Sequence, residues 1–125
     1  MQKQEPKTVS GQIKNPPFHS GKWNRKRLCL LLTELCYYDT EPAALEYFSR
    51  YRQDPALCGM LLSVLADKTY EGSDVQMGAA RILSQMHPDV LCGHTKELLA
   101  LQADPVVWKR PFPDGLPDWI NASEG

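Results

Sequence analysis

The sequence predicts an all-α protein, a short stack of antiparallel helical hairpins built from about five helices. Three observations carry that prediction. Apolar residues recur at three- and four-residue spacing through most of the chain, proline repeatedly stands just inside a helix-capping residue, and no stretch of any length alternates apolar with polar at a period of two.

Residues 1–21 are polar, contain Pro6, Gly11, Pro16, Pro17 and Gly21, and lack an apolar period, so they are expected to form a flexible basic leader. A first helix is expected over about 24–38, with Leu28, Leu31, Leu32, Leu35 and Cys36 on one stripe. Cys29, Leu30 and Tyr37 widen that stripe, which implies burial on more than one side. Thr40, Glu41 and Pro42 open a second helix, whose Ala44, Tyr47, Phe48 and Tyr51 share a face. Asp54-Pro55 repeats the start signal for a third, with Leu57, Leu61, Val64 and Leu65 turned inward, ending near Lys68. Ser73 or Asp74 caps a fourth, where Val75, Ala79, Ile82 and Met86 give the cleanest period in the chain. His87-Pro88-Asp89 opens a fifth that should reach about Gln102, with Leu91, Leu98 and Leu101 inward and Gly93 as its weak point.

These helices place the folded domain at residues 22–103 and leave 104–125 as a tail. Pro105, Pro111, Pro113 and Pro117 forbid a continuous helix there. Trp108, Phe112, Trp119 and Ile120 are too apolar for a free tail, so they are expected to cap the last helices or to meet a partner.

Self-similarity supports the stacked arrangement. At an offset of 34, Leu57-Cys58-Gly59 matches Leu91-Cys92-Gly93 and Val64-Leu65 matches Leu98-Leu99. At 35, Ala44, Leu45, Tyr47, Phe48 and Tyr51 fall on Ala79, Ala80, Ile82, Leu83 and Met86, so two consecutive helices recur together. The segment Asp74-Val75-Gln76-Met77-Gly78-Ala79-Ala80-Arg81-Ile82-Leu83 resembles the second helix of a HEAT-type repeat: an Asp at the turn, a Val just after it, then paired small residues and aliphatics. The resemblance covers residues 40–102 at most and departs from the pattern at Cys92-Gly93-His94-Thr95. It implies a short right-handed superhelix with a concave surface for a protein or nucleic acid, with armadillo-like stacks and plain bundles as alternatives of the same class.

Charge and chemistry narrow the function. The net charge of −1 hides a division: residues 1–27 carry seven Lys or Arg against Glu5 alone, while the remainder carries seven against fourteen acids. An acidic body argues against nucleic acid lying along the helices. Cys29, Cys36, Cys58 and Cys92 fall in apolar runs without a CxxC pair and read as small core residues of a reducing compartment, so an intracellular, cytoplasmic or nuclear setting is expected. No apolar run is long enough to span a bilayer.

His19, His87 and His94 accompany no nucleophile elbow, and no glycine pattern cradles phosphate, so no enzymatic activity and no cofactor are expected. His87, Cys92 and His94 are metal-ligand types, but their spacing is not that of a zinc finger and no metal is expected. The expectation is a non-enzymatic interaction module, an adaptor, scaffold or regulatory subunit, that binds a protein partner. Its contact residues are the basic edge Trp23, Arg25, Lys26 and Arg27 and the aromatic tail Trp108, Phe112 and Trp119. The alternative is a nucleic-acid-binding protein in which Lys14 to Arg27, interleaved with Phe18, His19 and Trp23, grips phosphates and stacks on bases.

Overall fold

A computed structural model describes residues 16–112, 115 and 117–120. Expectations for Lys14 and the rest of residues 1–15 therefore lie outside the described residues, as do those for 113, 114, 116 and 121–125. The chain is mostly helical, with α1 at Arg25–Glu34, α2 at Glu41–Ser49, α3 at Pro55–Ala66, α4 at Asp74–Ser84, α5 at Pro88–Leu91 and α6 at Thr95–Gln102. Short 3-10 turns occupy Lys68–Tyr70, Cys92–His94 and Val107–Lys109. Among the described residues, no helix is long and apolar enough to cross a membrane.

Ahead of α1 stands a small antiparallel hairpin, β1 (Phe18–His19) paired with β2 (Lys22–Trp23). It reaches back into the stretch that composition assigns to the leader. Ser20 and Gly21 join the strands at φ 53° and 79°, the doubly positive turn that suits a two-residue hairpin and that glycine enters without steric cost.

Three helix starts follow the capping rules, whereas Thr40 and Ser73, at the cap positions of α2 and α4, form no side-chain capping bond and donate their hydroxyls back to the Glu34 and Tyr70 carbonyls. Asn24 accepts the Arg27 N–H at 2.9 Å, and Asp54 accepts that of Ala56 at 2.9 Å with Pro55 in the first turn. His87 does the same through Nδ1, which accepts from Asp89 N–H at 3.1 Å.

One core gathers the inner faces of all the longer helices, with Leu28, Leu32, Phe48, Leu61, Leu83 and Leu98 among its fully buried members. Helix α4 is its keystone, packed against both α1 and α3. At the crossing with α1, a Cβ on Gly78 would run into the Leu32 carbonyl and stand 3.2 Å from the Leu32 Cβ. Only glycine lets the two backbones approach so closely. Two residues earlier the fully buried Gln76 turns its Nε2 to the carbonyls of Val64, Leu65 and Asp67, at 3.3, 3.2 and 3.1 Å. Those groups belong to the end of α3, where a helix runs out of its own donors.

Four expectations need correction. The first helix stops at Glu34 rather than about 38, because the next N–H groups bond three residues back: Leu35 to Leu32 O, Cys36 to Thr33 O and Tyr37 to Glu34 O. Leu30 and Tyr37, expected inside, are 62 % and 54 % exposed, since α1 buries a single stripe and Tyr37 has left the helix. Cys36 and Cys92 are exposed as well, one in the turn after α1 and the other in a 3-10 turn, whereas Cys29 and Cys58 are buried as read. The fifth helix divides into α5 and α6 around Cys92–His94, where Gly93 offers no side chain to hold a regular turn.

Candidate interaction surface

Two of the four residues of the basic edge, Trp23 and Arg25, are tied into the fold. Trp23 donates its indole N–H to Asp54 Oδ2 at 3.0 Å, so the hairpin is pinned to the residue that caps α3. Its ring lies 5.1 Å from Phe18 and 5.0 Å from Tyr51, the latter edge-on, and Tyr47 extends the cluster 5.3 Å beyond Tyr51. Tyr47 Oη accepts the Phe18 N–H at 3.3 Å, and burial pushes the phenol up to about 12. Arg25 reaches across to α3, donating to Ser63 Oγ and pairing with Asp67 at 3.0 Å. Asp67 also accepts the Thr69 N–H at 2.9 Å, and these bonds, the Thr69 ones first, hold its carboxyl below the ordinary range. Lys26 is exposed and Arg27 half-buried, and neither forms an ion pair among the described residues.

The tail is tied down in the same way. Gln102 bonds both backbone groups of Phe112, donating to its carbonyl at 2.7 Å and accepting its N–H at 3.1 Å. The Phe112 ring meets Trp119 edge-on at 6.2 Å, and both half-buried rings pack against the core beside the fully buried Ile120. Lys109, almost wholly buried, pairs with Glu71 at 2.9 Å. Trp108 stays 44 % exposed. No hydrogen bond, ion pair or ring contact joins the Trp23–Arg27 edge to Trp108, Phe112 or Trp119 among the described residues, so the nominated residues form two separate regions.

A surface that sequence reasoning missed lies at the other end of α1. Leu30, Thr33, Glu34, Tyr37, Tyr38, Asp39 and Thr40 line an open groove of about 560 Å³. Leu30 and Tyr37 are more than half exposed and Tyr38 is 92 % exposed, a concentration of large apolar side chains on the surface of a small protein. Glu34 and Asp39 border them, and neither carboxylate has an ion-pair partner among the described residues. The corner is nonetheless firmly built. Thr40 Oγ1 donates to Glu34 O at 2.7 Å, and just beyond it Glu41 takes Arg81 of α4 at 2.6 Å. The signal for this site was present in the one apolar position of α1 that falls off its buried stripe, followed by adjacent tyrosines past the helix end.

Among the described residues, no group of three or more His, Cys, Asp or Glu gathers to hold a metal ion. The exposed Cys36 keeps its sulfur 3.8 Å from Asp74 O, and desolvation there, with the Asp74 charge, raises its thiol above the ordinary value. That is the opposite of an activated nucleophile. Comparison with known proteins finds no match: no family model, no curated protein and no solved structure is similar to this chain.

Proposed function

We propose that the protein is a non-enzymatic helical interaction module, an adaptor, scaffold or regulatory subunit, which binds a protein partner through the corner after α1. The observation that carries this reading is the exposure of Leu30, Tyr37 and Tyr38 together beside unpaired carboxylates on a firmly built turn. Tyrosines supply large contact area with few rotatable bonds, and a leucine beside them supplies an apolar anchor. Of the residues that the sequence nominates, Lys26, Arg27 and Trp108 remain open to a partner, whereas Trp23, Arg25, Phe112 and Trp119 already have partners inside the chain. The HEAT-like likeness of Asp74–Leu83 favours the same class of function.

Nucleic-acid binding ranks second. Trp23 and Arg25 belong to the segment proposed to stack on bases and grip phosphates, and their internal bonds leave Lys22, Lys26 and Arg27 as the cations of that edge. The groove itself carries Glu34 and Asp39, which repel phosphate. Affinity capture from the native source, with and without nuclease, separates the readings. The expected result is a nuclease-resistant protein that Tyr38→Asp and Leu30→Asp release. Loss of every captured protein on nuclease treatment, with retention by both variants, overturns the proposal in favour of nucleic acid.

A further inference from the structure

The outer face of α1 has a charge order that runs against its own dipole. Its first turn holds no acid and its last turn no base; instead Lys26 stands near the positive end and Glu34 at the negative end. Lys26, Leu30 and Glu34 follow at four-residue spacing, so they share one outward stripe about 12 Å long, with the exposed leucine midway. Read backwards, that stripe is its own complement.

We propose that the partner of this face is a second copy of the chain, docked with its α1 antiparallel and the two Leu30 side chains meeting on the two-fold axis. In that register, Lys26 of each copy opposes Glu34 of the other, the isologous arrangement that closed dimers require. Each helix then receives the other's carboxylate beside its N-terminus and the other's ammonium beside its C-terminus, which corrects the dipole mismatch in both copies at once. Tyr37 and Tyr38, just past the helix end, flank the N-terminal turn of the opposite helix, where Lys22 and Lys26 offer aliphatic stems and cations to their rings. A purely basic partner segment would answer Glu34 and Asp39 but leave Lys26 and Arg27 facing like charge. A second copy answers both ends with one sequence. One ten-residue helix supplies a contact at the small end of specific interfaces, so the dimer is weak and concentration-dependent.

This inference rests on the protein-binding reading above, and sedimentation equilibrium of the full chain tests it separately. The wild type should show a monomer–dimer equilibrium, and Leu30→Asp should abolish it. Lys26→Glu and Glu34→Lys should each weaken association about tenfold, because each turns two attractive contacts into repulsive ones. The double variant K26E/E34K should recover near wild-type association, and an equimolar mixture of the two single variants should associate better than either alone. Circular dichroism of each variant should remain that of the wild type, since Lys26 and Leu30 are exposed and the half-buried Glu34 carboxylate holds no ion pair among the described residues. A wild type that stays monomeric up to millimolar concentration, a dimer indifferent to Leu30→Asp, or a double variant no better than the singles overturns the proposal. A monomeric wild type that still holds a captured protein through Tyr38 overturns self-pairing alone. A monomer that captures nothing overturns the protein-binding reading with it.

Discussion

The two ends of α1 carry similar materials and use them differently. At the N-terminal end Trp23, Phe18, Tyr51 and Tyr47 form an aromatic cluster, the indole bonds Asp54, and Arg25 bonds Ser63 and Asp67. At the C-terminal end Leu30, Tyr37 and Tyr38 face solvent beside carboxylates that have no counter-ion among the described residues. Composition draws attention to the first end, because aromatics and cations crowd there in sequence. Accessibility draws attention to the second. What distinguishes a binding surface from a structural one is whether the fold has already answered its side chains.

The contrast depends on α1 being held by its inner face, and the largest predicted effect strikes there. Gly78→Ala places a methyl group against the Leu32 backbone, which cannot rotate aside as a side chain would. Overpacking of this kind typically costs about 1–3 kcal/mol, and a backbone obstacle puts it at about 3 kcal/mol or more in a urea melt. Gly59, also mid-helix but with open space around its Cβ position, is the control. Gly59→Ala should stabilise the protein by about 0.5–1 kcal/mol through helix propensity. Equal effects at the two glycines would mean that the α1–α4 crossing is looser than described.

A second test compares the two ends directly. Trp23→Ala removes a half-buried ring, its contacts with Phe18 and Tyr51, and the indole bond to Asp54. Full burial would make the loss about 3–5 kcal/mol, so the half-buried ring predicts about 2–3 kcal/mol. Tyr38→Ala, at an almost fully exposed position, should change stability by less than about 0.5 kcal/mol. If both variants lose the same stability, the distinction between a satisfied end and an open one fails.

The sequence made some of this legible and hid the rest for physical reasons. Helix starts were readable because their signals are local: Asp54-Pro55 caps and opens α3, and His87-Pro88 opens α5. The buried stripe of α1 was readable because Leu28, Leu31, Leu32 and Leu35 repeat at helical spacing. Leu30 was misplaced because LCLLL is apolar all round, and only the positions of α2, α3 and α4 decide which side stays bare. The hairpin at Phe18–Trp23 escaped because two strands of two residues are too short to show a period. The partners of Trp23 and Arg25 lie 31 and 42 residues away, at Asp54 and Asp67, beyond the reach of any local pattern. At the offset of 34, Leu57 and Leu91 are both buried, but Cys58 is buried where Cys92 is exposed, so matched letters occupy unlike environments.

A gentler probe of the N-terminal end is the titration of Asp67. The carboxyl is held below its ordinary value by Thr69 and Arg25, so its favourable contribution is present above the unfolded-state value, near 3.9, and is lost as pH falls through the lower folded-state value. Arg25→Ala should move the Asp67 titration upward, followed by its carboxyl carbon resonance, while the Thr69 N–H bond keeps it below the unfolded value. An unchanged titration would show that Arg25 does not hold α1 to α3 in solution.

The smallest expected change is the one that sharpens the comparison most. Leu30→Gln replaces an exposed apolar side chain by a polar one of similar length and helix propensity, in a helix whose buried stripe runs along the opposite side. Folding stability should move by less than about 0.5 kcal/mol in either direction, because the side chain makes few contacts that unfolding would break. Surface behaviour should change far more: binding of a hydrophobic dye to the folded protein should fall, since Leu30 lies between the stripe's charges and anchors the apolar side of the groove. A loss of stability comparable to that of Trp23→Ala would show that Leu30 packs inward in solution, and the open end of α1 would then be as satisfied as the other.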